Sequence, residues 1–219
     1  MIILDGVSKR FEEKEVLKNL DLSFKEGETA CILGASGCGK STLMKIASGL
    51  MPPDSGRAAM APSIRKSFIF QENRLLPWLD APGNITYTGV PEERAVRYLE
   101  LVGLGAEAGR LPAQLSGGMR RRLCIARALA FSGDCFFFDE PLQGLDKNTN
   151  DSMVSLIKGE LGSKTALIIT HSVYEAMAFA SRIIIARGIP FEVLHDKPID
   201  EISGVDELEK FIINQEEEV

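Results

Sequence analysis

The chain has 219 residues, of which 45% are hydrophobic, and its 31 acidic residues against 25 basic ones give a net charge of −6. A chain of this length can bury one sizeable core, and its acidic excess argues against a broad basic surface, so no nucleic-acid partner is expected. The four cysteines are scattered without a C-x-x-C pair, which disfavours a zinc site or a disulfide framework and favours a reducing compartment.

Membrane-spanning signals are missing from the sequence. No apolar run approaches the roughly 20 residues that cross a bilayer, and the amino-terminal residues show no signal-peptide pattern. A role at a membrane would therefore depend on a partner protein. At the other end, the acidic residues 206–219 predict a short solvated helix or a frayed tail.

The first part of the chain combines strand signals with one helix. Residues 2–4 and 16–24 alternate enough to predict short strands, and the apolar run 29–33 predicts a buried strand. Residues 41–50 then show a helical pattern, which the proline-rich turn at 52–56 ends. This order predicts a small antiparallel β region in front of a strand–loop–helix unit.

The middle of the chain carries few strand signals. Residues 67–70 predict a short strand, and Pro91 opens an amphipathic helix with Val96, Leu99 and Val102 on one stripe. The absence of further strand signals up to about residue 130 predicts a helical insertion.

Strands and helices alternate in the last third. After a helical pattern at 119–130, continuous apolar runs at 135–138, 164–169 and 182–186 predict strands that are buried on both faces. Alternation of this kind indicates an α/β fold with a parallel sheet.

The most informative motif is the glycine-rich segment GASGCGKS at residues 34–41, which matches G-x-x-x-x-G-K-[ST] at every fixed position. It lies between a predicted strand and a predicted helix, where glycines let several backbone N–H groups point at one anion. Lys40 would reach the terminal phosphates of a nucleoside triphosphate, and the Ser41 hydroxyl would hold Mg²⁺. The predicted cofactor-binding residues here are Gly34, Ala35, Ser36, Gly37, Cys38, Gly39, Lys40, Ser41 and Thr42.

The loop completes the prediction of the architecture. We expect one α/β domain over residues 1–219, with a P-loop NTPase core and a mostly parallel sheet. Residues 1–71 and 131–219 would form the nucleotide-binding core, and residues of about 72–130 would form the inserted helical subdomain.

Polar residues follow two of the predicted strands. Asp139 and Glu140 come directly after one apolar run, and His171 follows the next. Since ligands collect at the carboxyl ends of parallel strands, Asp139 would hold Mg²⁺ and Glu140 would deprotonate the attacking water. His171 would hydrogen-bond the γ-phosphate or that water. A solvated Asp–Glu pair and a structural histidine are the alternatives.

A second glycine-containing segment precedes the helix at 119–130. Ser116 suits an N-cap, and Gly117 and Gly118 leave backbone N–H groups open to an anion, although an ordinary capped helix fits as well. Arginines 120–122 place positive charge against the helix dipole. Either an anion or a carboxylate faces them, or their side chains extend into solvent.

Taken together, the motifs resemble the ATP-binding subunit of ABC transporters, in the family's order, from about residue 3 to residue 186. The resemblance rests on residues 34–41, Gln71, 115–118, 138–141, Leu145, Asp146 and His171. It implies ATP and Mg²⁺ as cofactors, and ATP hydrolysis coupled to transmembrane transport as the activity.

The resemblance also implies roles for residues outside the phosphate loop. Phe11 matches the aromatic that stacks on adenine, and Gln71 the catalytic glutamine that senses Mg²⁺ and the attacking water. Ser116, Gly117 and Gly118 match the segment that clasps ATP bound to the other subunit, and Asp146 the residue that couples the two sites. A head-to-tail homodimer around two ATP molecules is the implied working unit.

Residues 71–78 are similar to the corresponding segment in importers of nitrate, sulfonates and taurine. The similarity implies that the surface near Leu75–Trp78 contacts an integral membrane permease, whereas packing inside the helical subdomain is the alternative. An extracytoplasmic substrate-binding protein would be an indirect partner, and the chain would sit peripherally on the cytoplasmic face of the cell membrane. Another transporter type, or an ABC-type ATPase without a transport role, is the alternative function.

Three departures from the family pattern are visible. Met119 stands where glutamine is usual, the stretch 71–115 is short, and so is the stretch 56–67. The last of these leaves open whether the antiparallel β region is regular.

Overall fold

The computed structural model describes residues 1–209, and residues 210–219, which hold most of the acidic end, lie outside the described part. The strands are β1 (Ile2–Phe11), β2 (Lys14–Phe24), β3 (Thr29–Gly34), β4 (Ser55–Met60), β5 (Lys66–Ile69), β6 (Cys135–Asp139), β7 (Thr165–Ile169), β8 (Arg182–Arg187) and β9 (Glu192–Pro198). The helices are α1 (Lys40–Ala47), α2 (Ala81–Thr86), α3 (Glu92–Leu101), α4 (Gly117–Phe131), α5 (Lys147–Leu161) and α6 (Val173–Phe179).

A six-stranded sheet in the order β5-β6-β7-β3-β8-β9 forms the centre of the described residues. Its first five strands run parallel, and every residue of β3, β6 and β7 is buried. The apolar runs of the sequence are therefore central strands covered on both faces, which confirms the predicted α/β class.

The sheet has one strand that the sequence analysis missed. β9 pairs antiparallel with β8 at the edge, and its side chains are exposed or half-buried. Because the side chains of this edge strand are not buried, its sequence contains no continuous apolar run. The strand therefore could not be predicted from hydrophobicity.

The amino-terminal β region forms an antiparallel sheet, although the register of its pairings is interrupted by bulges or irregularities. β2, β1 and β4 form a three-stranded antiparallel sheet, with Ile2 opposite Met60 and Leu4 opposite Ala58. The short stretch 56–67, which contains most of β4, does not prevent this pairing. Ile2 and Leu4 belong to the same buried hydrophobic cluster as Ile32 and Phe137 of the central sheet. β1 extends beyond the predicted residues 2–4. Its outer half was not predicted because it is polar and irregular in register.

Helices α2, α3 and α4 follow β5 and contact one another. The predicted stripe of α3 is partly wrong, since Val96 is 41% exposed while Leu99 and Val102 are buried. The buried face instead includes Ala95 and Tyr98. Val96 lies one residue, or about 100°, away from Ala95 on the helix, which turns it outward. Among the described residues, no helix has the length and apolar character that crossing a bilayer requires.

Candidate active site

Four neighbouring parallel strands end at one edge of the central sheet. Gln71 follows β5, Asp139 ends β6 and is followed by Glu140, His171 follows β7, and the loop at 34–41 follows β3. Since the strands are adjacent and parallel, these residues share the edge where ligands of open α/β sheets bind.

Backbone pairing brings three of these strand ends level with one another. Asp139 pairs with Ile169, and Ile169 pairs with Ile32. Beyond the paired residues, the Glu140 N–H donates to the Ile169 carbonyl at 2.9 Å and the Thr170 N–H donates to the Ile32 carbonyl at 3.2 Å. The candidate side chains therefore stand on a rigid part of the sheet.

The loop after β3 wraps around the Lys40 side chain. The Lys40 ammonium is buried and donates to the carbonyls of Gly34 and Ala35, both at 2.7 Å. Gly39, with φ 105°, is the N-cap of α1 and provides no side-chain cap. The first N–H groups of α1 are thus left for an anion, and the helix dipole favours one there.

A pocket of about 250 Å³ connects this loop with the first hairpin. Phe11, 42% exposed, lines it together with phosphate-loop residues. The complete lining is Phe11, Lys14, Val16, Gly37, Gly39, Lys40, Ser41 and Thr42. An aromatic ring and an anion-binding loop in one pocket suit a nucleotide, whose base stacks and whose phosphates accept hydrogen bonds.

Glu140 and His171 meet at the sheet edge. Oε2 of Glu140 lies 2.8 Å from Nδ1 of His171, with the Glu140 side chain largely buried and that of His171 mostly exposed. Glu140 has a φ of 52°, a left-handed conformation that costs a residue other than glycine about 1–3 kcal/mol. Strain of this size at a strand end indicates a carboxylate held in a set direction.

The turn that carries His171 is fixed by residues that the sequence analysis missed. Buried Thr170 donates its hydroxyl to Oε2 of Glu175 at 2.8 Å and accepts the Ser172 N–H at 3.0 Å. Burial raises the pKa of Glu175, and the nearby charge of Glu140 raises it further. The signal was the spacing of Ser172 and Glu175, which matches a capping box at the start of α6.

Arginines 120–122 were predicted to face an anion or a carboxylate, or to extend into solvent. Arg121 does lie near carboxylates, because the charges of Asp139, Glu140 and Glu175 act on it, whereas neither alternative holds for Arg122. Arg121 is buried and Arg122 is half-buried, and both donate to backbone carbonyls. The acceptors of Arg122 are Val102 at 2.6 Å and Gly103 at 3.1 Å. Helical periodicity carries the signal for Arg121, because it lies four residues before the buried Ile125.

Several predicted site residues do not line the pocket. Ser116 is exposed and caps α4, accepting the Met119 N–H at 3.2 Å. Asp146 is exposed, caps α5, and has a pKa lowered by its hydrogen bonds to Thr149. Gly117, Gly118 and Gln71 are likewise exposed or half-buried and outside the pocket lining.

The oxygen-bearing side chains near the loop fit the chemistry of Mg²⁺. Ser41 lines the pocket, and Asp139 ends the neighbouring part of the sheet edge. Both present oxygen, which Mg²⁺ prefers, and in the described part of the chain no cluster of three or more His, Cys, Asp or Glu could hold a metal alone. A cation bound jointly by few side chains and by phosphates fits this set.

A parallel sheet with a phosphate loop after one strand and a carboxylate after another defines the P-loop nucleoside triphosphatases, the class predicted from the sequence. Within that class, the family model for "ABC transporter" matches residues 17–143. The chain belongs to the ABC transporter family, and it is an ATP-binding ATPase.

Individual relatives agree with this assignment. Over 189 residues the chain is 41% identical to an aliphatic sulfonates import ATP-binding protein of Agrobacterium fabrum, covering 82% of this chain and 68% of that protein. Over 216 residues it is 37% identical to a taurine import ATP-binding protein of Pseudomonas aeruginosa, covering 90% and 82%. A solved dimeric ATP-binding cassette in a post-hydrolysis state, bound to ADP and Pi, superimposes with a TM-score of 0.82 at 31% identity, covering 91% of this chain and 99% of that one.

Proposed function

We propose that the chain is the ATP-hydrolysing subunit of an importer for small anions of the sulfonate and taurine class. The observation that carries the proposal is identity of 41% and 37% to sulfonate and taurine import subunits over most of this chain. ATP binding and hydrolysis drive a separate permease, and the permease with its extracytoplasmic binding protein selects the cargo. The chain acts on the cytoplasmic face of the membrane without entering it.

In the hydrolytic step, Glu140 accepts a proton from a water molecule. The water oxygen bonds to the γ-phosphorus, the bond from that phosphorus to the bridging oxygen breaks, and ADP leaves with the electron pair. His171 orients Glu140 and the γ-phosphate, while Lys40 and the loop N–H groups carry the developing charge. Mg²⁺, held by Ser41 and Asp139 and sensed by Gln71, would neutralise phosphate charge.

The working unit is a head-to-tail homodimer. Ser116, Gly117 and Gly118 present the amino-terminal N–H groups of α4 at the surface, outside the pocket of their own chain. A helix terminus of this kind binds an anion, and the γ-phosphate in the pocket of a second copy is the one we propose. Asp146, exposed at the start of α5, couples the two sites.

The permease binds beside the helical subdomain. Trp78 is 70% exposed and Tyr87 is 72% exposed, and a groove of about 330 Å³ lies between β5 and the helices, lined in part by Phe68, Phe70 and Tyr87. Exposed aromatic side chains next to an apolar groove are typical of protein interfaces. The sequence similarity of residues 71–78 to importer subunits supports a permease segment as the occupant.

Replacing Trp78 with alanine should weaken assembly with the permease by about 2 kcal/mol and leave ATP hydrolysis by the isolated chain nearly unchanged. The reason is that an exposed aromatic contributes to an interface and not to the core. Co-purification with the permease at graded concentrations measures the effect, and Leu50→Ala, which removes another exposed apolar side chain, is the control. A loss of folding or of ATPase activity in the Trp78 variant would argue for a structural role.

Uptake by proteoliposomes tests the proposed function as a whole. Vesicles containing this chain, its permease and the binding protein should take up radiolabelled taurine or an alkanesulfonate when ATP and Mg²⁺ are on the side of this chain. ADP in place of ATP should give no uptake. ATP hydrolysis without uptake of either anion, in vesicles whose permease is folded, would contradict the proposed substrate class.

A further inference from the structure

Arg121 is a buried cation that the hydrolytic step does not use. It is 3% exposed, and burial lowers the pKa of its guanidinium. The guanidinium donates to the carbonyls of Phe70 at 2.6 Å, Pro141 at 2.8 Å and Asp139 at 2.9 Å, and also to the carbonyl of Glu140. It also donates to the Gln71 carbonyl at 3.4 Å, so one side chain supplies donors to five backbone acceptors.

These acceptors share a location at the active-site edge. Phe70 follows β5 and directly precedes Gln71, while Asp139 and Glu140 stand at the end of β6. Arg121 belongs to the first turns of α4, three residues after Gly118. Its hydrogen bonds thus join the segment proposed to clasp ATP to the strand ends that carry Gln71 and Glu140.

We propose that Arg121 is a positioning residue of the ATPase, which sets the direction of the Glu140 carboxylate according to the placement of α4. The proposal rests on the hydrolytic role of Glu140 given above. When α4 moves with a bound γ-phosphate, Arg121 carries that movement to the backbone of Glu140.

The backbone of Glu140 shows why such a residue is needed. Its φ of 52° is unfavourable, so the conformation persists only where neighbouring groups hold it. The Glu140 N–H is bound to β7 through Ile169, and its carbonyl accepts from Arg121 and from the Gln143 N–H, the latter at 3.2 Å. Removing Arg121 takes away one of the two donors to this carbonyl, together with the donors to the carbonyls of Phe70, Asp139 and Pro141.

The chemistry of the side chain fits the task. A guanidinium has five N–H donors in a rigid plane, which allows it to serve acceptors from two strands at once, whereas a lysine ammonium is a point charge on a flexible stem. Burial lowers the pKa of this guanidinium, and the nearby carboxylates of Asp139, Glu140 and Glu175 act in the opposite direction by favouring its charged form.

Arg122 provides the matched control. It is adjacent, half-buried and bound to two carbonyls, but those carbonyls, of Val102 and Gly103, belong to the helical subdomain. We expect Arg121→Met to lower kcat for ATP about 30- to 100-fold with KM changed less than about threefold, since misplacing a base costs rate and not ground-state binding. Arg122→Met should keep kcat within about twofold. Arg121→Lys keeps the charge and tests the proposal if the methionine variant folds poorly. It should lower kcat by more than about threefold and by less than Arg121→Met does.

A spectroscopic readout separates positioning from loss of stability. The chain has two histidines, so ¹⁵N-labelled imidazoles give two assignable spin systems. The Nδ1 resonance of His171 reports its 2.8 Å contact with Glu140. It should shift in Arg121→Met and Arg121→Lys and stay in place in Arg122→Met.

Three results would overturn the proposal: kcat of folded Arg121 variants within about threefold of the parent, equal losses in the Arg121 and Arg122 variants, or a kcat loss with an unmoved His171 resonance. A parent chain without ATPase activity would instead contradict the proposed function. The resonance needs no turnover, so it would still decide whether Arg121 orients Glu140.

Discussion

Replacing Glu140 with glutamine should lower kcat for ATP hydrolysis by about 10²–10⁴-fold, or roughly 3–5.5 kcal/mol of activation free energy. Glutamine keeps the size of the side chain and an oxygen that accepts a hydrogen bond, but it cannot take a proton. ATP affinity should stay within about threefold, because binding depends on the loop N–H groups, Lys40 and Ser41.

Steady-state hydrolysis together with equilibrium binding of a fluorescent ATP analogue measures both halves of this expectation. Glu192→Gln is the matched control, since it neutralises a carboxylate on the edge strand β9 that is 60% exposed. Hydrolysis at the parent rate by the Glu140 variant would show that another group removes the proton. A parallel loss of ATP binding would mean that Glu140 acts in the ground state.

Gly34→Ala should lower the free energy of unfolding by about 3 kcal/mol or more. Gly34 has a φ of 156° and pairs with Ala186 on β8, and an added Cβ would lie 2.1 Å from the Ala186 carbonyl oxygen. Backbone atoms of two central strands must then move apart. A domain has only about 5–15 kcal/mol of stability in total, so ATP binding should fail as well.

Gly37→Ala separates this clash from the cost of a positive φ. Gly37 lies in the same loop with a φ of 80°, but its added Cβ would meet no atom within 4 Å. Only the conformational penalty of about 1–2 kcal/mol should appear in urea unfolding. Equal losses in the free energy of unfolding for the two variants would mean that the close approach of β3 and β8 adds no cost beyond that of the positive φ.

The elements predicted best from the sequence were the strands that are buried on both faces and the glycine-rich loop. The apolar runs that became β3, β6 and β7 are buried on both faces, so their composition alone identifies them. The loop at 34–41 was equally clear, because its backbone conformation requires glycine and its flanking elements confirm the motif.

What the sequence could not predict depended on partners distant in the chain. The contacts of Arg121 with residues 70 and 139–141 exist only after β5, β6 and α4 have packed together. Val96 resembled a core residue because its neighbours are apolar at helical spacing, yet the helix presents Ala95 to the core instead. Residue type would place an arginine at the surface and a valine in the core. Tertiary packing reverses both positions, since Arg121 is buried and Val96 is exposed.

Most residues of the candidate site could be predicted from the sequence, but their arrangement in space could not. Asp139, Glu140 and His171 were predicted from their positions after strands, and the parallel order β6-β7-β3 then puts them beside the phosphate loop. Ser116 and Asp146 cap helices at the surface, and a single chain gives them no further role. Only a second copy would complete the proposed arrangement.

Size-exclusion chromatography with light scattering of the Glu140→Gln chain tests the central claim, that two copies close around ATP, most directly. Because this variant retains ATP, it should elute as a monomer without nucleotide or with ADP and as a dimer with ATP and Mg²⁺. Adding Ser116→Arg should abolish the dimer by crowding the proposed clasp. A variant that binds ATP yet remains a monomer at saturating ATP would contradict the account.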